Sequence, residues 1–286
     1  MPEPGQITSM AEAIVQQPLE TLAVALAGSV LHVTLNRPMV RNAMSLTMVT
    51  ELQWVLALAQ AGGNVRVIVL RGSGGHFCAG ADLKDMAAAR MAALQRGSAA
   101  GANDPIAQAN AQFGDLCVAY AKSPLAVVAV LEGTVMGGGL GLACVADVAL
   151  ASETAVFRLP ETSLGMVPAQ IAPFLVERLG HSQAKRLAVT GGQLTAAQAL
   201  VLGLVHEVHL HEQIDAAVVA VVAGILKCAP DALAQTKALM MHARFTPTDQ
   251  LVALAAATFA RAAQGPEGME GVSAFLQKRQ PNWVPQ

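Results

Sequence analysis

Two glycine-rich stretches constrain this chain more than any other feature. The first reads Gly74-Gly75-His76-Phe77-Cys78-Ala79-Gly80-Ala81-Asp82-Leu83-Lys84-Asp85-Met86. The second reads Glu132-Gly133-Thr134-Val135-Met136-Gly137-Gly138-Gly139-Leu140-Gly141-Leu142-Ala143. Each follows a short apolar run and opens into a helical pattern, so the recurring unit is strand, glycine-rich loop, helix. That order predicts a mixed α/β core stacked in successive turns. Residues 30–36 alternate as a half-buried strand does, and Arg37-Pro38 ends it. Residues 44–61 carry helical spacing (Val49, Leu52, Leu56, Ala59) stopped by Gly62-Gly63. Strands are predicted at 65–70, 125–131, 148–151 and 155–159, with a tight loop at Gly137–Gly139 and a helix starting at 140–145. The first twenty or so residues read as loosely ordered. Residues 87–112, rich in Ala, Gly, Gln and Asn, are expected to form a mobile loop or frayed helix where an acyl chain enters. From Gln183 onward the pattern is almost wholly helical.

Composition narrows the function. Of 286 residues, 53% are hydrophobic and only 13% charged, which excludes a disordered chain and points to surface covered by partner subunits. With 18 Lys+Arg against 20 Asp+Glu there is no basic field of the kind nucleic-acid binding needs. Cys78, Cys117, Cys144 and Cys228 form no CxxC pair and no metal-ligand spacing, so they read as reduced thiols. No basic n-region leads into an apolar segment, and the longest apolar run, 216–226, is too short to span a bilayer. The expectation is a cytoplasmic protein with no membrane partner.

The chemistry expected of the two turns follows from their small residues. At a helix start the backbone N–H groups are free, and glycine lets a ligand oxygen approach them closely. Two such turns converging would hold one carbonyl oxygen between two amides, as an oxyanion hole does; either turn alone is also what a plain tight turn requires. The partial GxGxxG match at Gly133 to Gly138 lacks the acidic residue of a dinucleotide site, and neither GxSxG nor GxxxxGK[ST] is present.

The stretches HFCAGADLKDM, GTVMGGGLGLACVADVALA and FRLPETSLGMVP, with LNRPMVRNAM before them and EGVSAFLQKRQPNW after, resemble the enoyl-CoA hydratase/isomerase (crotonase) superfamily over roughly residues 24–283. The resemblance implies a spiral of ββα units over residues 23–215, behind a flexible segment 1–22, and a helical region 216–286 that builds a homotrimer or a dimer of trimers. It implies an acyl-CoA thioester substrate, with CoA as part of that substrate, no separate cofactor and no metal. By motif position the oxyanion donors are the N–H groups of Ala81 and Gly138. Ala79, Ala81, Asp82, Leu83 and Lys84 then line the CoA side, and Arg41 is a phosphate contact. Met136, Gly137 and Gly141 line the acyl pocket.

Hydratases of this family usually carry two glutamates. Glu161 occupies one position, and the other falls on Gly141, three residues after Gly138 and so on the same side of the helix. Either close helix packing or room for a branched substrate explains that glycine. Glu161 follows Pro160 within an apolar stretch, which favours a raised pKa and acid–base work. The segment Val167-Pro168-Ala169-Gln170-Ile171-Ala172-Pro173-Phe174 is similar to hydratases of 3-branched glutaconyl-CoA (isohexenylglutaconyl-CoA or 3-methylglutaconyl-CoA), which act in acyclic terpene and leucine breakdown. A double-bond isomerase or decarboxylase of the same superfamily is the alternative. Such substrates carry a distal carboxylate. Arg158 is a tempting partner, but strand alternation turns it away from Leu159 and Glu161. His76 reads as structural, and His206, His209 and His211 do not read as a metal site.

Overall fold

A computed structural model describes residues 15, 17–96 and 104–285. β1 (Leu22–Ala27) and β2 (Val30–Leu35) form an antiparallel hairpin. Its two-residue turn places Gly28 at φ +58, a conformation that suits glycine and matches the strand twist. α1 (Leu46–Ala61) follows, its first turn capped by the Ser45 hydroxyl, which accepts from the Met48 N–H. β3 (Val67–Gly72), α2 (Leu83–Arg96), α3 (Pro105–Ala121), β4 (Ala126–Leu131) and β5 (Thr134–Met136) lead into α4 (Gly138–Val145), β6 (Val148–Ser152) and β7 (Val156–Arg158). The remainder comprises α5 (Ala172–Val189), β8 (Gln193–Thr195), α6 (Ala196–Val201), β9 (Glu207–His209), α7 (Ile214–Leu226), α8 (Pro230–Ala243), α9 (Thr248–Gln264) and α10 (Pro266–Leu276).

Six strands form one sheet in the order β1-β2-β3-β4-β6-β9, parallel from β2 onward. β5, β7 and β8 form a second, smaller sheet. β4 is buried on both faces, as a central parallel strand should be. Its Val127, Ala129 and Leu131 join the main core beneath α1, α3 and α4, while Ala126, Val128 and Val130 meet α7 on the other side. α7 presents Ile214, Val218 and Val222 at spacings of four to that face.

Several elements depart from the sequence reading. β1 lies outside the strands expected from sequence, because LAVALA offers no apolar–polar alternation and only one β-branched residue. β3 lies two residues later than expected, and α4 begins at Gly138, so two of the three loop glycines are helical. Within 87–112, expected to be a mobile loop or frayed helix, residues 87–96 continue α2 and residues 105–112 begin α3. Ala and Gln favour helix there, and Asp104 caps α3 by accepting from the Ile106 and Ala107 N–H groups ahead of Pro105. Residues 97–103, and residues 1–14 and 16 of the N-terminal segment expected to be flexible, lie outside the described residues. The region after Gln183 is not uniformly helical: β8 and β9 are three-residue strands, too short to show a period. The boundary expected at 215/216 falls inside α7, which packs on the sheet with the rest of the core. Among the described residues, no single helix is long and apolar enough to cross a membrane.

Candidate active site

Main-chain hydrogen bonds join the two glycine turns. Phe77 N–H donates to the Glu132 carbonyl at 2.8 Å, Cys78 N–H to Thr134 at 3.0 Å, and Met136 N–H to Cys78 at 2.9 Å. On the other side of the first turn, Met44 N–H donates to the Gly80 carbonyl at 2.7 Å and Asp82 N–H to the Met44 carbonyl at 2.9 Å. In such a parallel bridge the N–H of the intervening residue points the opposite way. Ala81 N–H therefore faces off the ladder, and Ala81 lines a cavity of about 780 Å³. The close contact between the turns needs glycine. A Cβ at Gly139 would stand 2.7 Å from the Cys78 Cβ, and one at Gly80 would stand 3.2 Å from the Met136 carbonyl oxygen.

The second donor arises at the start of α4. Gly137 N–H is engaged by the Arg158 carbonyl at 3.1 Å. Gly138 N–H lies in the first helical turn, where amides have no intrahelical acceptor, and Gly138 also lines the cavity. Gly137 has φ +50, and a Cβ on it would lie 2.9 Å from Glu161 Oε1. Glycine at 137 thus lets the carboxylate reach the oxyanion turn.

Glu161 begins a short 3-10 turn after Pro160 and lines the same cavity. Its Oε2 is buried and has no hydrogen-bond partner among the described residues. Burial raises the carboxyl pKa above its ordinary value, opposed only in part by the residue's own backbone N–H. A half-buried carboxylate on a cavity wall, with one oxygen left unpartnered, is placed for proton transfer. Cys78, which sits in the first turn, is not a competing nucleophile, because burial pushes its thiol up to about 11.

The structure brings together Ala79, Ala81, Asp82, Leu83, Met136, Gly137, Gly138 and Glu161 on one cavity wall. Asp82, besides lining the cavity, is engaged by its own neighbours. Its carboxylate pairs with the Arg37 guanidinium at 2.7 Å and accepts from the Lys84 N–H at 2.8 Å. Burial works against its charge, but the Arg37 and Lys84 contacts outweigh it and hold the carboxyl below its ordinary value. Asp82 therefore fixes the loop and starts α2. Arg41 and Lys84 are exposed and lie outside the cavity lining. The Arg41 carbonyl accepts from the Ala79 N–H at 2.9 Å.

Gly141 is not on the cavity wall. It is buried, and a Cβ there would lie 3.1 Å from Phe113 Cζ and 3.3 Å from Ile171 Cγ1. The space left by its missing side chain is filled by these two residues, so the room expected there for a branch is instead a seat for Phe113. The Phe113 ring also passes 3.4 Å from where a Gly138 Cβ would stand, and it lines the cavity.

Sequence reasoning missed Phe113, although Ile106, Ala109, Asn110 and Phe113 recur at helical spacing and all line the cavity. It also missed Asn42, fully buried at φ +56. The Asn42 amide donates to the Ser73 and His76 carbonyls, and its Oδ1 accepts from the Arg37 N–H. Arg158 is exposed and off the cavity. His76 Nδ1 accepts from the Thr134 N–H at 3.1 Å and so braces the two turns. His206 accepts from the Ala149 N–H, while His209 and His211 contact Glu207 and Glu132. Among the described residues, no group of three or more His, Cys, Asp or Glu is placed to hold a metal ion.

Residues of two glycine-rich turns, Ala81 and Gly138, line one apolar cavity with the Glu161 carboxylate on a mixed α/β core, as in an enzyme of the crotonase fold. The family model for enoyl-CoA hydratase/isomerase matches residues 26–286, and the chain belongs to that family. It is similar to the 2,3-dehydroadipyl-CoA hydratase of Escherichia coli, 34% identical over 273 residues covering 93% of this chain and 99% of that protein. Among solved structures it resembles an enoyl-CoA hydratase/isomerase from Marinobacter aquaeolei and Pseudomonas aeruginosa AtuE. Each is 47% identical with a TM-score of 0.88, covering 93% of this chain and 99% or 100% of the other.

Proposed function

We propose that the protein hydrates the 2,3 double bond of a 3-branched glutaconyl-CoA thioester. The thioester oxygen sits between the Ala81 and Gly138 N–H groups, which stabilise the enolate formed as water adds. Glu161 takes a proton from that water and returns one to the α-carbon. One carboxylate serves both steps, because the second family position is Gly141. The observation that carries this reading is the buried, unpartnered Oε2 of Glu161, a residue that lines the same cavity as Gly138 at the start of α4. The branched glutaconyl class rests on the PAQIAPF segment at 168–174, whose Pro168, Ala169, Gln170 and Ile171 line the cavity. Arg41 and Lys84, exposed beside the first turn, serve the CoA phosphates, and no cofactor or metal takes part.

The assembly is a homotrimer or a dimer of trimers. α8 and α9 contain no buried residue, and Met240, Phe245, Val252 and Phe259 are all more than 60% exposed, an apolar surface that subunit contacts would cover. The deciding experiment follows 3-methylglutaconyl-CoA in H₂¹⁸O by mass spectrometry. Incorporation of one water with retention of the carboxylate supports hydration. Bond migration without label, or release of CO₂, would refute it in favour of isomerisation or decarboxylation.

A further inference from the structure

The chemistry just described uses neither the charge of Arg90 nor the amides of Asn110 and Gln170, yet all three line the cavity. Among the described residues, Arg90 is the only Lys, Arg or His in that lining, and it has no ion-pair or hydrogen-bond partner there. Among the described residues no ion pair joins Arg90 to Asp85, whose Oδ2 accepts from the Leu46 N–H at 2.7 Å. In the same lining, Gln170 Nε2 donates to Asn110 Oδ1 at 2.9 Å. Gln170 lies over Gly114, where a Cβ would come within 2.3 Å of Gln170 Oε1 and 2.7 Å of its Cδ. A glycine at 114 therefore seats the Gln170 side chain. The Asn110 amide nitrogen and the second Gln170 N–H keep donors that no protein acceptor takes among the described residues.

The depth of these groups fits a short diacid. Phe113, packed over Gly138 and Gly141, marks the reacting end of α3. Asn110 lies about 4.5 Å further along the helix axis, and Ile106 about 10.5 Å. In a glutaconyl thioester the second carboxylate is four carbon–carbon bonds from the thioester carbonyl carbon, close to one helical turn. It reaches the level of Asn110 and stops well short of Ile106. Met86, Phe113, Met166 and Ile171 surround that level with apolar side chains, so the polar partners for a carboxylate in the lining are Arg90, Asn110 and Gln170.

We propose that Arg90 and the Asn110–Gln170 amide pair form the receptor for the distal carboxylate of the acyl group, and that they set the preference for diacid over monoacid thioesters. This rests on the substrate class proposed above. The test lets 3-methylglutaconyl-CoA and 3-methylcrotonyl-CoA compete in one reaction, which share the branch and differ in the carboxylate. The ratio of their kcat/KM values does not depend on how much of a preparation is folded. Arg90→Met and Gln170→Leu should each lower the ratio by about tenfold or more, through loss of charge-assisted hydrogen bonds. Arg90→Lys should restore most of it, and Gln170→Glu should lower it furthest. Ratios within about threefold of the parent in both Arg90→Met and Gln170→Leu would overturn the proposal. So would an Arg90→Met variant whose KM rises equally for both thioesters, since Arg90 would then serve the CoA moiety. A parent enzyme that hydrates 3-methylcrotonyl-CoA but not the glutaconyl thioester would overturn the substrate class and the receptor together. Turnover of the glutaconyl thioester with unmoved variant ratios would remove the receptor alone.

Discussion

Replacing Gly141 by alanine tests whether that glycine exists to seat Phe113. Alanine gains up to about 1 kcal/mol of helix propensity over glycine. Its Cβ, however, would stand 3.1 Å from Phe113 Cζ, 3.3 Å from Ile171 Cγ1 and 3.4 Å from Phe113 Cε1. Overpacking of this kind costs about 1–3 kcal/mol when neighbours cannot yield. Phe113 can yield, because one side of its ring borders the cavity. The two stability effects nearly cancel, and Tm should move by no more than about 5 °C in a chain of this size. The ring instead moves into the space a 3-branch occupies, and kcat/KM for 3-methylglutaconyl-CoA should fall by about tenfold. Phe113→Leu in the same chain should recover most of that loss, giving a coupling energy of about 1 kcal/mol or more in a double-mutant cycle. Steady-state kinetics on the parent, both single variants and the double variant measure this directly. Additive effects of the two substitutions, or a large drop in Tm without a kinetic change, would refute the assignment of Gly141 as the ring's seat.

Glu161→Gln should reduce hydration by about a hundredfold or more with KM little changed, and residual activity within about tenfold of the parent would contradict the assignment. Because burial raises the Glu161 carboxyl and the reaction needs it ionised, kcat/KM should fall as pH drops through a midpoint above the ordinary value of 4.5. A midpoint at or below that value would count against the site. Asp82→Asn removes the partner of Arg37. The folded carboxyl lies below its ordinary value, so the stability it contributes is present at neutral pH and is lost as pH falls through that depressed value. Denaturant midpoints should accordingly show a destabilisation at pH 7 that narrows in acid, and a constant difference would argue otherwise. Light scattering should give a trimer or hexamer, and Phe259→Asp should shift it toward smaller species; a parent monomer at micromolar concentration would contradict the assembly.

The parts of the site legible in the sequence are those whose geometry is local. Both glycine turns, the free amide at a helix start and the carboxylate after Pro160 depend on residues a few positions apart. What stayed hidden depends on distant packing. Gly141 reads equally as a gap or a contact until Phe113, on another helix, is seen against it. The ion pair of Asp82 with Arg37, forty-five residues earlier, leaves no mark in either local stretch. β8 and β9 take their identity from β7 and β6, since three residues hold no period of their own. In α2 and α3 the faces toward the cavity include Ala and Asn as well as apolar side chains, which masked the helical repeat.

The two halves of the cavity are fastened differently, and that bears on how such a catalyst changes over generations. The amide cradle is held by main-chain hydrogen bonds from Phe77, Cys78 and Met136 to neighbouring backbone. Those bonds persist under most exchanges of side chain, provided the glycines at 80, 137 and 139 remain. The acyl wall is fastened by side chains: a ring on Gly141, an amide on Gly114 and one bond between Gln170 and Asn110. Two or three substitutions there would re-cut the pocket while the enolate chemistry stayed intact. A lineage built this way can acquire new thioesters by drift on one wall, without passing through inactive intermediates.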